Sequence, residues 1–190
     1  QAWSVGVASG TYGVSFGALA VAAGLDIWQA QVLSLVMFTG GSQFAFVGIV
    51  AAGGLAAAPA AIATATMLGI RNGLYGLQTS RLLQVTGVRR LAAAQLTIDE
   101  STAVGIAQPE PAAQQLGFWQ TGIAVFVLWN TSTLVGALLG NALGDPRRLG
   151  LDAAAAAAFV ALLWPRLKSR DATATAVLAI GIALLTSPVL

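Results

Sequence analysis

Long apolar stretches, separated by short polar groups, run along most of the chain. No charged residue occurs between Ile27 and Ile70, which is more than a single soluble core helix would bury. Because a membrane-spanning helix needs about 20 apolar residues, this pattern predicts several membrane spans. The predicted helices are Val5–Gly24, Ala30–Ala52, Ala57–Leu77, Gly117–Leu143, a helix from Asp152 to Trp164, and a last span after Asp171.

The segment 81–116 is the most polar part of the chain and connects the apolar halves. Within it, Leu91–Ala107 is moderately apolar and carries Asp99 and Glu100 near its centre. This pattern fits an interfacial helix, a re-entrant pair or a short span, and membrane orientation depends on which is formed. The sequence therefore predicts an all-α, polytopic helical membrane protein with about six to seven spans, including broken helices.

The stretch Phe38–Val47 interrupts the second predicted span with polar and flexible residues. Gly40 and Gly41 loosen a helix, and Ser42 and Gln43 are costly in hydrocarbon unless they form hydrogen bonds. A broken helix at membrane depth is tolerated where it faces protein or a water-filled cavity. We expect this break to form half of a substrate site; the alternative is close helix–helix packing through small residues.

An echo between the two halves suggests an internal repeat. Gly17-Ala18-Leu19 resembles Gly136-Ala137-Leu138, and a polar turn follows each segment. Units 1–80 and 117–190 of three spans each would form an inverted repeat within a single transporter domain, 1–190. The alternative is a chance similarity, which Ala/Gly/Leu-rich sequence readily produces.

Composition agrees with a membrane protein and excludes several kinds of site. The chain is 57% hydrophobic and 8% charged, whereas soluble domains carry roughly 25% charged residues. A net charge of +2, placed in short clusters between apolar runs, does not indicate nucleic-acid binding. With no cysteine and no histidine, neither a metal site, a cofactor site nor a catalytic constellation is expected. No phosphate-binding glycine loop of the ATPase type is present.

Arg71 and Asn72 end the long uncharged run and lie near the end of a predicted span. Ionisable residues inside spans are rare and usually functional. Arg71 is expected either to reach the lipid headgroups or to pair with a carboxylate of the substrate, of Asp99 or of Glu100.

Asp99 and Glu100 are flanked by apolar residues on both sides, which is unusual for a solvated loop. We interpret the two residues as a coupling or gating group that carries a proton during transport. The alternative is that Asp99 caps a helix beginning at Glu100. Asn130 lies within four consecutive polar residues of a predicted span, and is expected either to pack against another helix or to line the cavity.

Five motifs in order resemble the AzlC/BrnF-type large subunit of branched-chain amino-acid exporters, across nearly all of the chain. They are Gly13-Val14-Ser15-Phe16-Gly17, Phe38-Thr39-Gly40-Gly41-Ser42-Gln43-Phe44, Arg71-Asn72-Gly73-Leu74-Tyr75-Gly76, Thr97-Ile98-Asp99-Glu100-Ser101 and Gly150-Leu151-Asp152. The family commonly has Arg-His where this chain has Arg71-Asn72, so a histidine proton step is not available there. Its members are also usually somewhat longer, so we expect trimmed ends.

The resemblance implies export of leucine, isoleucine, valine and sometimes methionine through the inner membrane of a prokaryote, together with a small AzlD-type subunit. A zwitterion of this kind needs polar backbone groups for its two charges and an apolar pocket for its side chain. The segment 40–43 is suited to the first need, with Ser42 and Gln43 as direct contacts, and Phe44 and Phe46 to the second. The alternatives are transport of another small metabolite, uptake in place of efflux, or a membrane scaffold subunit without transport.

Overall fold

A computed structural model describes residues 2–142 and 167–186, together with Val160 and Trp164. The chain divides into two units, Gln1–Asp152 and Ala153–Leu190, and all regular elements of the described residues are helical. In the first unit these are α1 (Ala2–Ala22), α2 (Ile27–Val36), α3 (Gly40–Gly53), α4 (Ala58–Leu83), α5 (Gly87–Gln95), α6 (Asp99–Ile106) and α7 (Pro111–Ala142). The second contains α8 (Arg170–Thr186). Of the helix predicted from Asp152 to Trp164, only Val160 and Trp164 are described, so Asp152 and the alanine run after it lie outside the described residues.

Three helical stretches of the described residues are long and apolar enough to cross a membrane. They are Ala2–Ala22, Gly40–Leu83 and Pro111–Ala142; the shorter Ile27–Val36 is also apolar. These stretches confirm the prediction of an all-α membrane protein. The longest is not one straight helix, because a 3₁₀ turn at Gly54–Ala57 separates α3 from α4.

Helices α1 and α7 pack closely along their length through small residues. Gly6 lies against Ala124 and Gly17 against Thr133, so the residue numbers rise together and the two helices are parallel. A Cβ atom added at Gly17, or at Gly136 opposite, would overlap the backbone of the other helix. Such close approach is typical of membrane helices joined by glycine faces, and we call this contact the glycine seam.

The predicted second span, Ala30–Ala52, is wrong as a single crossing, because the chain turns back halfway. Ser34 in α2 lies beside Thr133 of α7, and Phe38, just after α2, lies beside Phe126 of α7. The chain through α2 therefore runs antiparallel to α7. After Gly40 the chain reverses. Helix α3 then runs alongside α4 in the opposite direction, and α4 continues until Leu82 accepts a hydrogen bond from Gln115 near the start of α7. Thus α2 and α3 form a hairpin that enters from the end of the first unit where α1 ends.

The central segment forms a second hairpin, the re-entrant pair among the alternatives for 91–107. Helix α5 follows α4 and reaches the level of the first hairpin, where Gln95 Nε2 donates to Leu35 O at 2.8 Å. Helix α6 then runs back against α7, with Ser101 beside Gly122 and Gly105 beside Phe118. The two hairpins therefore enter the first unit from opposite ends, and their turns meet near its middle.

The two hairpins belong to two structural repeats within the first unit. Helix α3 starts at residue 40 and α6 at residue 99, which is 59 positions later; α2 and α5 end at residues 36 and 95, at the same spacing. Each hairpin follows a long helix, α1 or α4, and these run in opposite directions. At this spacing Gly10 matches Gly69, Gly17 matches Gly76 and Ser42 matches Ser101. Ala2–Gly53 and Ala58–Ile106 are therefore two repeats that run in opposite directions, and we call them the inverted repeats. This arrangement is common in transporters.

This pair differs from the repeat predicted over 1–80 and 117–190. Gly17 and Gly136, which suggested that repeat, both lie in the glycine seam, Gly17 against Thr133 and Gly136 against Val14. Much of 117–190 lies outside the described residues, so the predicted repeat stays a prediction.

Candidate functional site

The turn between α2 and α3 leaves the start of α3 without a side-chain cap. Thr39, the N-cap residue, is extended (φ −156°) and forms no capping hydrogen bond through its side chain. Gly40 and Gly41 then occupy the first two helical positions. The backbone N–H groups of a first helical turn have no partner within the helix and carry a partial positive charge. Because the glycine pair places no side chain over these groups, this end of α3 is suited to an anion.

Gln43 holds this turn in place with both ends of its amide. Its Nε2 donates to Met37 O at 2.7 Å and to Ser34 O at 3.3 Å, and its Oε1 accepts from Trp129 Nε1 at 2.9 Å. The side chain is fully buried. Gln43 therefore replaces helix hydrogen bonds that are lost where α2 ends and ties the turn to α7.

Ser42 fastens the same turn to α4. Its hydroxyl donates to Ala65 O at 2.8 Å, and the residue is fully buried. On the opposite side, Ser34 and Thr133 share a hydrogen bond of 3.3 Å. The polar groups of Ser42 and Gln43 are thus engaged within the protein, which gives them a role in shaping the break. Their direct contact with substrate stays a prediction.

Aromatic rings surround the start of α3. Phe44 is buried against Phe16 and Trp129, with ring centroids 5.8 and 6.3 Å away. A Cβ atom at Gly40 would lie 3.0 Å from the Trp129 ring, so the indole covers the backbone of the first helical residue. Phe46 is half-buried and lies on a different face of α3 from Phe44, and the prediction that both contact the substrate side chain stays a prediction.

Arg71 joins the two hairpins. Its Nη2 lies 2.9 Å from Oδ2 of Asp99 and 3.3 Å from the position of a Cβ atom at Gly41. Side-chain exposure is 36% for Arg71 and 30% for Asp99, so the ion pair is accessible from one side. Nε of Arg71 and Oδ1 of Asp99 are buried and form no hydrogen bond. The predicted pairing of Arg71 with Asp99 is present, and each member keeps an unused polar atom.

The acidic pair occupies the first turn of α6. Ile98 is the N-cap residue and α6 begins at Asp99, so the interpretation of Asp99 as a cap is wrong. The backbone N–H of Ile98 donates to Ser101 Oγ at 3.2 Å instead. Glu100 accepts a hydrogen bond from the Ser9 hydroxyl of α1 at 3.0 Å. Asp99 therefore faces α4 while Glu100 faces α1, and both lie where the helix dipole favours negative charge.

The structure gives the two predicted asparagines different surroundings. Asn130 is buried, and its Nδ2 donates to Phe126 O of its own helix at 2.8 Å. Asn72 is half-buried beside Arg71 in the chain. The Oδ1 atoms of both residues are buried without a hydrogen-bond partner. No hydrogen bond of the described residues connects either side chain to the ion pair, so their part in the site stays a prediction.

Sequence reasoning missed several residues that build this region. Trp129 and Ser9 contact the predicted site residues directly, and Gln95 links the hairpins. Ser9 is a polar residue within an uncharged helix, which is a usable signal, whereas Gln95 follows two arginines in α5 and does not stand out. Trp129 carries no such signal, because membrane proteins use tryptophan widely at interfaces.

Comparison with known families places the chain in a family. The family model described as AzlC protein matches residues 4–143, which includes both hairpins and all of α7. No curated protein and no solved structure matches the chain.

Proposed function

Because the chain belongs to the AzlC family, which is associated with branched-chain amino-acid transport and generally works with a small partner subunit, we propose that it is the large membrane subunit of an amino-acid exporter. The proposed substrates are leucine, isoleucine and valine, with methionine as a further candidate. The proposed partner is a small hydrophobic subunit of the AzlD type, and the proposed location is the inner membrane of a prokaryote.

The observation that carries this proposal is the position of Arg71. Its guanidinium lies against Gly41 at the uncapped start of α3, so a fixed positive charge adds to the partial positive charge of the helix end. Arginine presents paired donors that match a carboxylate. The substrate carboxylate is proposed to bind here, to Arg71 and the backbone N–H groups of the first turn of α3.

The substrate ammonium needs the opposite charge within a few ångströms. Asp99 lies 2.9 Å from Arg71, and Glu100 is the next residue of α6. The two charges of an α-amino acid are separated by one carbon atom, so neighbouring opposite charges on the protein fit them. The Trp129 ring beside Gly40 offers apolar surface for an aliphatic side chain.

Export is proposed to be of the secondary type. The sequence has no nucleotide-binding glycine loop, so coupling has to come from a gradient or from the partner. Glu100 is the proposed coupling residue, because it links the second hairpin to α1 through Ser9.

Leucine efflux tests this function. Cells that lack other exporters of this substrate class are loaded with a leucine-containing dipeptide, and external leucine is followed with and without expression of the chain and its partner. Faster efflux with both subunits, lost on Arg71→Ala, is the expected result. A matched control is Arg89→Ala, an exposed position in α5. Unchanged efflux of leucine, isoleucine and valine would contradict exporter function and favour a scaffold subunit or another metabolite.

A further inference from the structure

The two inverted hairpins begin their second helices with opposite chemistry. Helix α3 starts with Gly40-Gly41-Ser42, and α6 starts with Asp99-Glu100-Ser101, at the spacing of 59 positions that relates the two inverted repeats. Both starts expose the positive end of a helix. In α6 the chain supplies its own carboxylates at this end. In α3 two glycines occupy the same positions, and the nearest added charge is the cation of Arg71.

The start of α3 therefore has an excess of positive charge that something negative has to balance. In the structure the balancing group is Asp99, which reaches across from the other hairpin to Arg71. The balance is incomplete, because Arg71 Nε and Asp99 Oδ1 are buried without hydrogen-bond partners. The ion pair thus keeps one unused donor and one unused acceptor, which suits a ligand that carries both an acceptor and a donor.

Building on the proposed function, we propose that Asp99 takes the place of the substrate carboxylate when the site is empty, and that a zwitterionic amino acid exchanges with it. The substrate carboxylate replaces Asp99 on Arg71, beside Gly41. The ammonium then pairs with the released Asp99. The number of charge pairs rises from one to two, so the exchange leaves no charge unpaired at membrane depth.

This exchange makes the site selective for molecules with both charges. A carboxylate alone would take Arg71 and leave Asp99 without a partner, and an amine alone would leave Arg71 without one. Each outcome strands a charge in a region of low dielectric constant, which is strongly unfavourable. The same exchange turns a direct bridge between α4 and α6 into a bridge through the substrate. Occupancy of the site by substrate is thereby linked to the contact between the two inverted repeats.

Competition against labelled leucine tests the proposal on the purified complex of this chain with its partner in detergent, where no membrane gradient can be dissipated. The competitors are valine, 4-methylpentanoate, which is leucine without its ammonium, and 3-methylbutylamine, which is leucine without its carboxylate. In the wild-type complex only valine is expected to compete. In Asp99→Asn, 4-methylpentanoate no longer strands a carboxylate. Its affinity relative to leucine is expected to rise by about tenfold, the effect of one charge-assisted hydrogen bond.

Asp171→Asn, the same substitution at an exposed position in α8, is the matched control and should keep the wild-type selectivity. Competition by 4-methylpentanoate as strong as that by valine in the wild-type complex would overturn the exchange, and this arm does not depend on the folding of a variant. Unchanged rejection of 4-methylpentanoate by a folded Asp99→Asn complex would also overturn it. Absence of leucine binding to the wild-type complex would instead contradict the proposed function itself, and the exchange with it.

Discussion

Arg71 of α4 and Asp99 of α6 lie 2.9 Å apart at the place where two hairpins from opposite ends of the first unit meet. Among the described residues, this salt bridge directly connects the two inverted repeats. Because Arg71 also contacts Gly41, three helices converge on one guanidinium group. Substitutions on any of these three helices that shift the Arg71 guanidinium should therefore change substrate affinity more than they change the stability of the fold.

Gly41→Ala is the mildest test of this convergence. The added Cβ atom would lie 3.3 Å from Nη2 of Arg71, so the guanidinium has to shift by a few tenths of an ångström away from α3. Alanine stabilises a helix relative to glycine, so folding should not suffer. We expect the KM for leucine to rise by about fivefold, or roughly 1 kcal/mol, in a transport assay. Gly73→Ala, where an added Cβ atom meets open space, is the control; equal KM values for the two variants would contradict the placement.

Gln43 should matter more for stability than its partner Trp129. Gln43→Leu leaves the Trp129 N–H group and the Ser34 carbonyl without hydrogen bonds, and Met37 O keeps only the bond from the Thr39 N–H. Trp129→Phe leaves only the Gln43 Oε1 atom without its hydrogen bond. Each buried group left unpaired costs roughly 1–3 kcal/mol. Thermal unfolding in detergent, followed by size-exclusion chromatography after heating, should show the lower midpoint for Gln43→Leu. The reverse order would show that the indole packing outweighs the hydrogen bonds.

Gly17→Ala should destabilise the glycine seam. A Cβ atom at this position would overlap the backbone of α7 at Thr133, so the helices have to separate. Overpacking of this kind costs roughly 1–3 kcal/mol. We expect a lower yield of folded protein and a lower unfolding midpoint than for Gly73→Ala, which makes the same change in open space. Equal midpoints would mean that the two helices are not in backbone contact.

Glu100→Gln tests energy coupling. The amide keeps an acceptor for the Ser9 hydroxyl, so the link between α6 and α1 at 3.0 Å can persist without an ionisable group. We expect leucine flux in everted vesicles to continue while its dependence on an imposed proton gradient disappears. A gradient dependence equal to that of the wild type would remove Glu100 from the coupling mechanism.

The break at Phe38–Val47 was predictable from the sequence, but its direction was not. Paired glycines and two polar residues in an uncharged run indicate a broken helix. Whether the chain then continues or turns back depends on tertiary hydrogen bonds, here those of Gln43 to Met37 and of Ser42 to Ala65. A single crossing and a hairpin have the same composition, so the pattern predicted a span where the structure has two half-helices.

The charged residues show the same division. An arginine after a long uncharged run and two carboxylates among apolar residues indicate groups that need partners, and both Asp99 and Glu100 are candidates for Arg71. The choice between these two carboxylates depends on which face of α6 meets α4, which the sequence pattern does not give. The inverted spacing left only faint traces, such as Gly10 with Gly69 and Ser42 with Ser101, which the Ala/Gly/Leu-rich composition obscures.

The glycine seam also bears on how such a protein would move. Where two backbones touch directly, no side chains lie between them that could change rotamer and allow small sliding steps. The pair α1 and α7 is therefore suited to act as a rigid support, against which other helices of the first unit are displaced. The two hairpins meet each other through individual contacts such as the hydrogen bond between Gln95 and Leu35, so we expect displacements between the hairpins, and labels that report distance changes belong there.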